Sequence, residues 1–114
     1  MINASIPLRT GGGLNGREHW RARARRVKGE RHATAWVMRA HAAPAGSVTV
    51  LLRRVSPGTR PMDDDNLPGS LKAVRDQIAD WLGRDDADPS IAWKYDQRRG
   101  EPKQWAVEVE VTAC

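Results

Sequence analysis

The pattern of apolar and polar positions predicts one short strand early in the chain and three longer strands after it. The early strand is Ser5–Leu8, and Pro7 restricts it to a sheet edge because proline cannot donate a ladder hydrogen bond. Ser47–Val55 is rich in β-branched residues, which is typical of a strand. In residues 91–95 and 105–111 apolar side chains alternate with polar ones, so each of these strands is predicted to bury one face.

Two other stretches carry apolar residues at helical spacing. The first runs from Gly16 to about Ala42, and Gly29 is a point at which it could break. Asn15 is its predicted N-cap, and Glu18 follows three residues later in a capping-box pattern. Its apolar positions are Trp20, Ala24 and Val27, followed by Ala33, Trp36, Val37 and Ala40.

The second predicted helix begins near Pro68, which suits a first helical turn, and ends at Gly83, a typical C-cap. Its apolar stripe consists of Leu71, Val74, Ile78 and Leu82. A hairpin-like loop over Arg98–Lys103 is predicted between the last two strands. Together these elements predict a single α+β domain over residues 1–114, in which two to three helices pack on a small mixed sheet of about four strands.

Charge is distributed unevenly along the chain, whose net charge is +5. Residues 1–60 carry twelve Arg or Lys against two Glu, a balance of +10, whereas residues 61–114 carry seven against twelve Asp or Glu, a balance of −5. A basic part joined to an acidic part favours a polyanion-binding surface beside a metal pocket. A basic surface without a specific partner is the alternative. The candidate DNA-binding residues are Arg17, Arg21, Arg25 and Lys28 on the first helix, and Arg60 before the acidic cluster.

Several classes of protein are disfavoured by the composition. No apolar run approaches the roughly 20 residues of a membrane helix, and the first helix is too rich in alanine to anchor on a lipid surface. Without an apolar signal-peptide core, a cytoplasmic location is expected. Cys114 is the only cysteine, and the three histidines lack zinc-ligand spacing.

Two acidic clusters, Asp63-Asp64-Asp65-Asn66 and Asp85-Asp86-Ala87-Asp88, bracket the second predicted helix. Adjacent carboxylates repel one another, and a divalent cation with a preference for oxygen ligands, Mg²⁺ or Mn²⁺, would relieve that repulsion. In an extended segment Asp63 and Asp65 would point to one side, about 6.6 Å apart, and Asp64 to the other. A solvated acidic turn is the alternative.

Asp86 could join this site only if the chain folds back after the second helix. Lys72, one turn into that helix, could stabilise the charge that develops on a scissile phosphate or orient the attacking water. From spacing alone, an ion pair with Asp76 four residues later is an equally good interpretation of Lys72.

Taken together, these motifs resemble the RusA-type Holliday junction resolvases, especially the forms carried by phages and prophages. The resemblance rests on Leu14–Trp20, Asp63–Asn66, Lys72–Asp76 and Asp85-Asp86. It implies a Mg²⁺-dependent, homodimeric endonuclease that nicks four-way DNA junctions symmetrically during recombination and repair, in the cytoplasm of a bacterium or a phage-infected cell.

The resemblance also implies roles for individual residues. The paired carboxylates of the family fall on Asp63 and Asp65, its third carboxylate on Asp86, and its catalytic lysine on Lys72. The chain departs from the best-known members at one point, since five residues separate Lys72 from Asn66 where those members have two.

Three functions therefore stand open at this point. The first is a junction-resolving nuclease, the second is a structure-selective DNA-binding protein with an inactive metal site, and the third is a metal-dependent nuclease that acts on forks or flaps. A homodimer is expected because a four-way junction has approximate two-fold symmetry and needs two opposed nicks. The tryptophan-bearing helices and the last strand are the predicted apolar contact surfaces.

Overall fold

A computed structural model describes residues 1–11 and 18–114, which form a mixed four-stranded sheet and three helices. The predicted α+β class is confirmed. The strands are β1 (Ile2–Ile6), β2 (Val48–Ser56), β3 (Ile91–Arg99) and β4 (Ala106–Ala113), and the helices are α1 (Trp20–Met38), α2 (Leu67–Ser70) and α3 (Lys72–Leu82).

The strand order is β1-β4-β2-β3, with β2 and β3 parallel and the other two pairs antiparallel. A parallel pair needs a crossover connection, which α2 and α3 supply between β2 and β3. The prediction of a hairpin-like loop after β3 is wrong, because β4 pairs with β1 and β2 and β2 separates it from β3. The first strand is an edge strand as predicted, although it ends just before Pro7.

One face of the sheet packs against the helices and forms the core. Val50, Leu52 and Val109 are fully buried there, together with Met38 of α1 and Ile78 of α3. The last strand therefore buries its apolar face within its own chain, so this strand does not provide the apolar contact surface that was predicted for a dimer.

The opposite face of the sheet is polar and held by ion pairs. Arg53 of β2 lies 3.0 Å from Asp96 of β3, 3.3 Å from Glu108 and 3.0 Å from Glu110 of β4. These contacts cross three neighbouring strands on the side away from the helices. The described part of the chain contains no helix with the length and apolar character needed to cross a membrane.

Helix α1 is continuous through Gly29 and begins later than predicted. Its N-cap is His19, whose Nδ1 accepts the N–H of Arg21 at 3.2 Å, rather than Asn15, which lies outside the described residues. The capping box predicted between Glu18 and Asn15 involves a residue outside the described range, while the Glu18 carboxylate accepts hydrogen bonds from Arg26 at 3.0 and 3.1 Å.

The buried residues of α1 are Glu30, Thr34 and Met38, with Ala33 and Val37 packed beside them. The first predicted apolar stripe is on the surface instead: Trp20 is 67% exposed, and Trp36 of the second stripe is 61% exposed. The N-terminal half of α1 therefore presents arginine side chains to solvent, and Trp20 as well.

The second predicted helix is divided into α2 and α3 at Leu71, whose backbone (φ −104°, ψ 7°) departs from helical values. Pro68 lies in the first turn as predicted, and the stripe that begins at Leu71 is buried. Gly83 ends α3 with φ 73°. The N–H of Arg84 donates to the carbonyl of Ala79, which is the six-residue hydrogen bond of a Schellman motif.

Candidate functional site

The carboxyl ends of the parallel strands β2 and β3 lie at the same end of the sheet, and the acidic loop begins there. Residues 57–66 connect β2 to α2, and Gln97 of β3 fixes this loop at Met62. The N–H of Met62 donates to Gln97 Oε1 at 2.9 Å, and Gln97 Nε2 donates to the Met62 carbonyl at 2.7 Å. The residue before Asp63 is thus attached to β3 through both of its backbone polar groups.

The acidic residues after Met62 form a turn, so the prediction of an extended segment is wrong. The carbonyl of Asp63 accepts the N–H of Asn66 at 2.9 Å and of Leu67 at 3.0 Å, which starts the first turn of α2. The alternation of sides expected for Asp63, Asp64 and Asp65 does not apply to a turn. All three side chains are exposed.

The second acidic cluster returns to the beginning of α3. Asp86 Oδ2 accepts a hydrogen bond from Arg75 Nε at 3.1 Å and lies 4.0 Å from Lys72 Nζ. The backbone carbonyl of Asp86 accepts Trp93 Nε1 at 2.9 Å, so β3 also holds this segment. The chain thus makes the reversal after α3 that a site shared by the two clusters requires, while the role of Asp86 as a metal ligand stays a prediction.

Side chains on one face of β3 organise this surface. Trp93 bonds to the Asp86 segment, Tyr95 accepts Arg75 Nη1 at 2.7 Å, and Gln97 bonds to Met62. These three positions alternate along the strand, so the attachment points at Trp93 and Gln97 lie about 13 Å apart along its backbone.

Arg75 is the central cation of this arrangement, and the sequence carried no signal for its role. It contacts Asp86 and Tyr95, and its guanidinium lies 4.8 Å from the centre of the Trp93 ring. Eleven residues and a chain reversal separate Arg75 from Asp86, so neither helical spacing nor strand alternation could pair them.

The charges around Asp86 favour its ionised form. Partial desolvation acts to raise the pKa of Asp86, but the charges of Arg75 and Lys72 and a hydrogen bond from Arg75 lower it below its ordinary value. For Arg75, desolvation acts to lower the pKa, and Tyr95 and Asp86 raise it above the usual range. Both groups are therefore charged at neutral pH.

Lys72 opens α3 and contacts two carboxylates. Its Nζ lies 3.1 Å from Asp76 Oδ1 and 4.0 Å from Asp86 Oδ2, and its side chain is 65% exposed. The ion pair with Asp76 is present, as its alternative interpretation predicted. The contact with Asp86 also puts Lys72 beside the second acidic cluster, so its catalytic role remains a hypothesis.

The donor set suits a hard cation, although the described residues do not converge on one point. Over residues 1–11 and 18–114, no group of three or more His, Cys, Asp or Glu side chains is close enough to hold a metal ion. Mg²⁺ commonly takes one or two protein carboxylates and completes its shell with water and substrate phosphate. Asp63 and Asp65, exposed on one turn, offer carboxylates of that kind, and Asp86 offers one that two cations already contact.

The candidate DNA-binding residues lie on two surfaces. Arg21, Arg25 and Lys28 are exposed at helical spacing on α1, and Arg60 is exposed in the loop that leads to the acidic turn. None of these four side chains is in an ion pair with another described residue. Arg17 lies outside the described residues.

Comparison with known proteins adds no relative to this description. A scan against protein-family models finds no match, and a search of curated proteins finds no significant similarity. Neither result bears on the resemblance to the RusA-type resolvases, which rests on the short motifs of the chain.

Proposed function

We propose that this protein is a Mg²⁺-dependent endodeoxyribonuclease that resolves four-way DNA junctions by paired, symmetric nicks. The observation that carries the proposal is the return of Asp86 to the first turns of α3, where it lies beside Lys72. Two acidic clusters that are 20 residues apart in sequence are attached to the same face of β3 by Trp93 and Gln97.

In this proposal Asp63, Asp65 and Asp86 hold the metal, Mg²⁺ or alternatively Mn²⁺. The bound ion would lower the pKa of an attacking water and neutralise charge on the scissile phosphate. Arg75 positions Asp86 through its bond at 3.1 Å. Lys72 is near enough to Asp86 to contribute a positive charge where the phosphate would react.

The substrate class follows from the charge of the rest of the surface. Three cations form a row on α1, Arg21, Arg25 and Lys28, and none of them makes an ion pair with another described residue. Duplex DNA presents phosphates to such a row. A homodimer would match the two-fold symmetry of a junction, and the exposed Trp20 and Trp36 offer apolar surface for it. The protein would act in the cytoplasm of a bacterium or of a phage-infected host.

Cleavage of matched substrates tests the proposal. Labelled four-way junction, replication fork and linear duplex are incubated with the protein and Mg²⁺, and both strands are sized on denaturing gels. We expect paired nicks in the junction that Asp65→Asn abolishes without loss of junction binding, since this change removes a metal ligand and adds no bulk. Asp64→Asn is the matched control and should keep most of the activity, because the resemblance assigns the metal ligands to Asp63 and Asp65 and not to Asp64. Full cleavage by Asp65→Asn would overturn the proposed site.

Mixed dimers test the symmetry. Wild type and Asp65→Asn protein, mixed and allowed to exchange subunits, should nick one strand of a junction and leave it unresolved. Light scattering of the wild type should give twice the mass of one chain. A monomer that still makes paired nicks would refute the dimer.

A structure-selective DNA-binding protein without cleavage is the second candidate. It is favoured by the ion pairs of Asp86, whose carboxylate is engaged by Arg75 and Lys72 rather than free for a metal. Tight junction binding without cleavage in Mg²⁺ or Mn²⁺ would support this candidate. Preferential cutting of forks or flaps in the same assay would instead indicate a nuclease with another substrate.

A further inference from the structure

A small basic cavity lies at the carboxyl ends of β2 and β3, next to the acidic loop. Its volume is about 120 Å³. Its lining includes Arg54, Ser56, Thr59, Arg60, Arg98 and Arg99. Four of these residues are arginines and none is acidic, so the cavity has the composition of an anion site.

Three of the four arginines have no carboxylate partner within the described chain. Arg98 is paired with Glu108 at 2.8 Å, whereas Arg54, Arg60 and Arg99 make no ion pair with any described residue. The positive charges of these three arginines repel one another, and an anion bound in the cavity that they line would relieve that repulsion.

Arg54 shows the strongest need for a partner. Its Nε is buried and has no hydrogen-bond acceptor among the described residues. Burial, and to a lesser extent the charge of Arg9, lower the pKa of Arg54, so its surroundings disfavour the cation that it must carry. A buried donor without an acceptor is costly in free energy. Because Arg54 also lines the cavity, an anion there would lie next to its positive charge.

Neutral donors complete the cavity. Ser56 is only 8% exposed, and its Oγ accepts the N–H of Gly58 at 3.2 Å, so its hydroxyl proton remains to be donated. Thr59 adds a second hydroxyl group to the lining. A phosphate group carries several acceptor oxygens, and guanidinium and hydroxyl groups together satisfy them.

We propose that this cavity binds one backbone phosphate of the DNA strand that is cut. Its volume is well below the roughly 300 Å³ at which sites for drug-sized ligands begin, so it suits a phosphate group rather than a nucleobase. Pro61 and Gln97 belong to the lining, and Gln97 also holds Met62, the residue before Asp63. A phosphate bound here would be a near neighbour of the scissile one. That the phosphate belongs to DNA rests on the proposed function, whereas the anion site does not.

Inorganic phosphate tests the cavity without any nuclease assay. The indole of Trp105 lies 5.9 Å from the Arg54 guanidinium, and its N–H signal in a ¹H–¹⁵N spectrum, assigned with Trp105→Phe, reports on the site. At constant ionic strength, phosphate should shift this signal saturably and leave that of Trp81 unchanged. Arg54→Met should weaken the affinity for phosphate about tenfold. Should that variant fail to fold, Arg60→Gln, at an exposed position, should do the same. Lys94→Gln removes one charge from the helix-free face and should bind phosphate as the wild type does.

A second arm separates backbone phosphate from free phosphate. The tetranucleotide (dT)₄ without terminal phosphates should compete with inorganic phosphate for the Trp105 shift, and Arg54→Met should reduce the log–log salt slope of junction binding by nearly one unit. No saturable shift, or an equal shift in Arg54→Met, refutes the cavity even if the protein cleaves junctions. A shift with inorganic phosphate but not with (dT)₄ refutes the DNA assignment. A correct cavity in a protein that never cuts DNA would refute the proposed function alone.

Discussion

The attachment of the acidic loop to β3 leads to a prediction that separates stability from catalysis. Gln97→Leu removes both hydrogen bonds to Met62, at 2.7 and 2.9 Å, and keeps a side chain of similar size. Each bond contributes about 0.5–1.5 kcal/mol net, so the change should cost about 1–3 kcal/mol where the loop is docked. Urea unfolding measures the global loss, and amide hydrogen exchange at Met62 measures the local one.

Catalysis should suffer more than DNA binding if the docked loop carries the metal ligands. A shift of 1–3 kcal/mol away from the docked loop lowers junction cleavage by up to about 5- to 150-fold. Junction affinity should fall less than the cleavage rate, because the phosphate contacts proposed for Arg21, Arg25 and Lys28 on α1 do not depend on Gln97. Single-turnover cleavage at saturating protein, beside fluorescence anisotropy with a labelled junction, measures the two effects.

Gln77→Leu is the matched control, because the same substitution removes one hydrogen bond from Arg31 at 3.1 Å between α1 and α3. It should cost stability and leave the cleavage rate near that of the wild type. Unchanged exchange at Met62 in Gln97→Leu would refute the attachment itself. Equal loss of cleavage in both variants would show that catalysis follows general stability rather than the position of the loop.

Two predictions concern α1 alone. Gly29→Ala should raise the free energy of unfolding by about 0.5–1 kcal/mol, because Gly29 is exposed within the helix and a Cβ there would meet nothing within 4 Å. Urea unfolding measures the change, and a lower free energy of unfolding would mean that α1 breaks at Gly29. Glu30→Gln should alter the pH dependence of stability: burial raises the pKa of Glu30 in spite of Arg26, so the folded state holds this proton more tightly and the contribution of Glu30 to wild-type stability falls as pH rises above 4.5. The variant lacks this loss, so its stability relative to the wild type should improve from pH 4 to pH 7, and a constant difference would refute the burial argument.

The helices and strands could be predicted from the sequence wherever the buried residues are also the apolar ones. The stripe from Leu71 to Leu82 and the alternating valines of β4 are buried as their spacing indicated. The inward face of α1 could not be found in this way, because two of its three buried residues are polar. Thr34 donates to the Glu30 carbonyl at 2.8 Å and Glu30 Oε2 pairs with Arg26 at 2.8 Å, whereas Glu30 Oε1 is buried without a hydrogen-bond partner among the described residues.

The strand order could not be predicted from the alternation of apolar and polar residues, because alternation shows which face of a strand is buried but not which strands are neighbours. The one available signal was charge: Arg53 stands opposite Glu108 in the register of β2 and β4. Opposite charges favour such cross-strand pairs, and the same side chain also reaches Asp96 on β3. A pairing of β2 with β4 could have been inferred from these residues, and it would have excluded the hairpin between β3 and β4.

For the candidate site, the acidic motifs were visible in the sequence and their supports were not. Arg75, Tyr95 and Gln97 act through contacts between segments distant in sequence, and each residue alone has an ordinary surface character. The break at Leu71 and the turn after Asp63 also depend on how the loop meets β3. Local spacing could therefore identify candidate ligands, but not their separation.

The arrangement of charge at this edge addresses a difficulty that any phosphodiester-cleaving acidic site must meet. Three adjacent carboxylates, Asp63 to Asp65, repel the phosphate on which they are proposed to act. Cations lie next to both acidic segments: Lys72 and Arg75 of α3 contact Asp86, and Arg54 and Arg60 line the cavity before the turn. The basic first part of the chain ends at this point and the acidic second part begins, so the fold brings the two kinds of charge together at the strand ends. DNA affinity can then come from the cations, while the carboxylates bind metal. It follows that Asp65→Asn, measured without divalent metal, should bind a junction at least as tightly as the wild type, and weaker binding would mean that the turn contacts DNA in some other way.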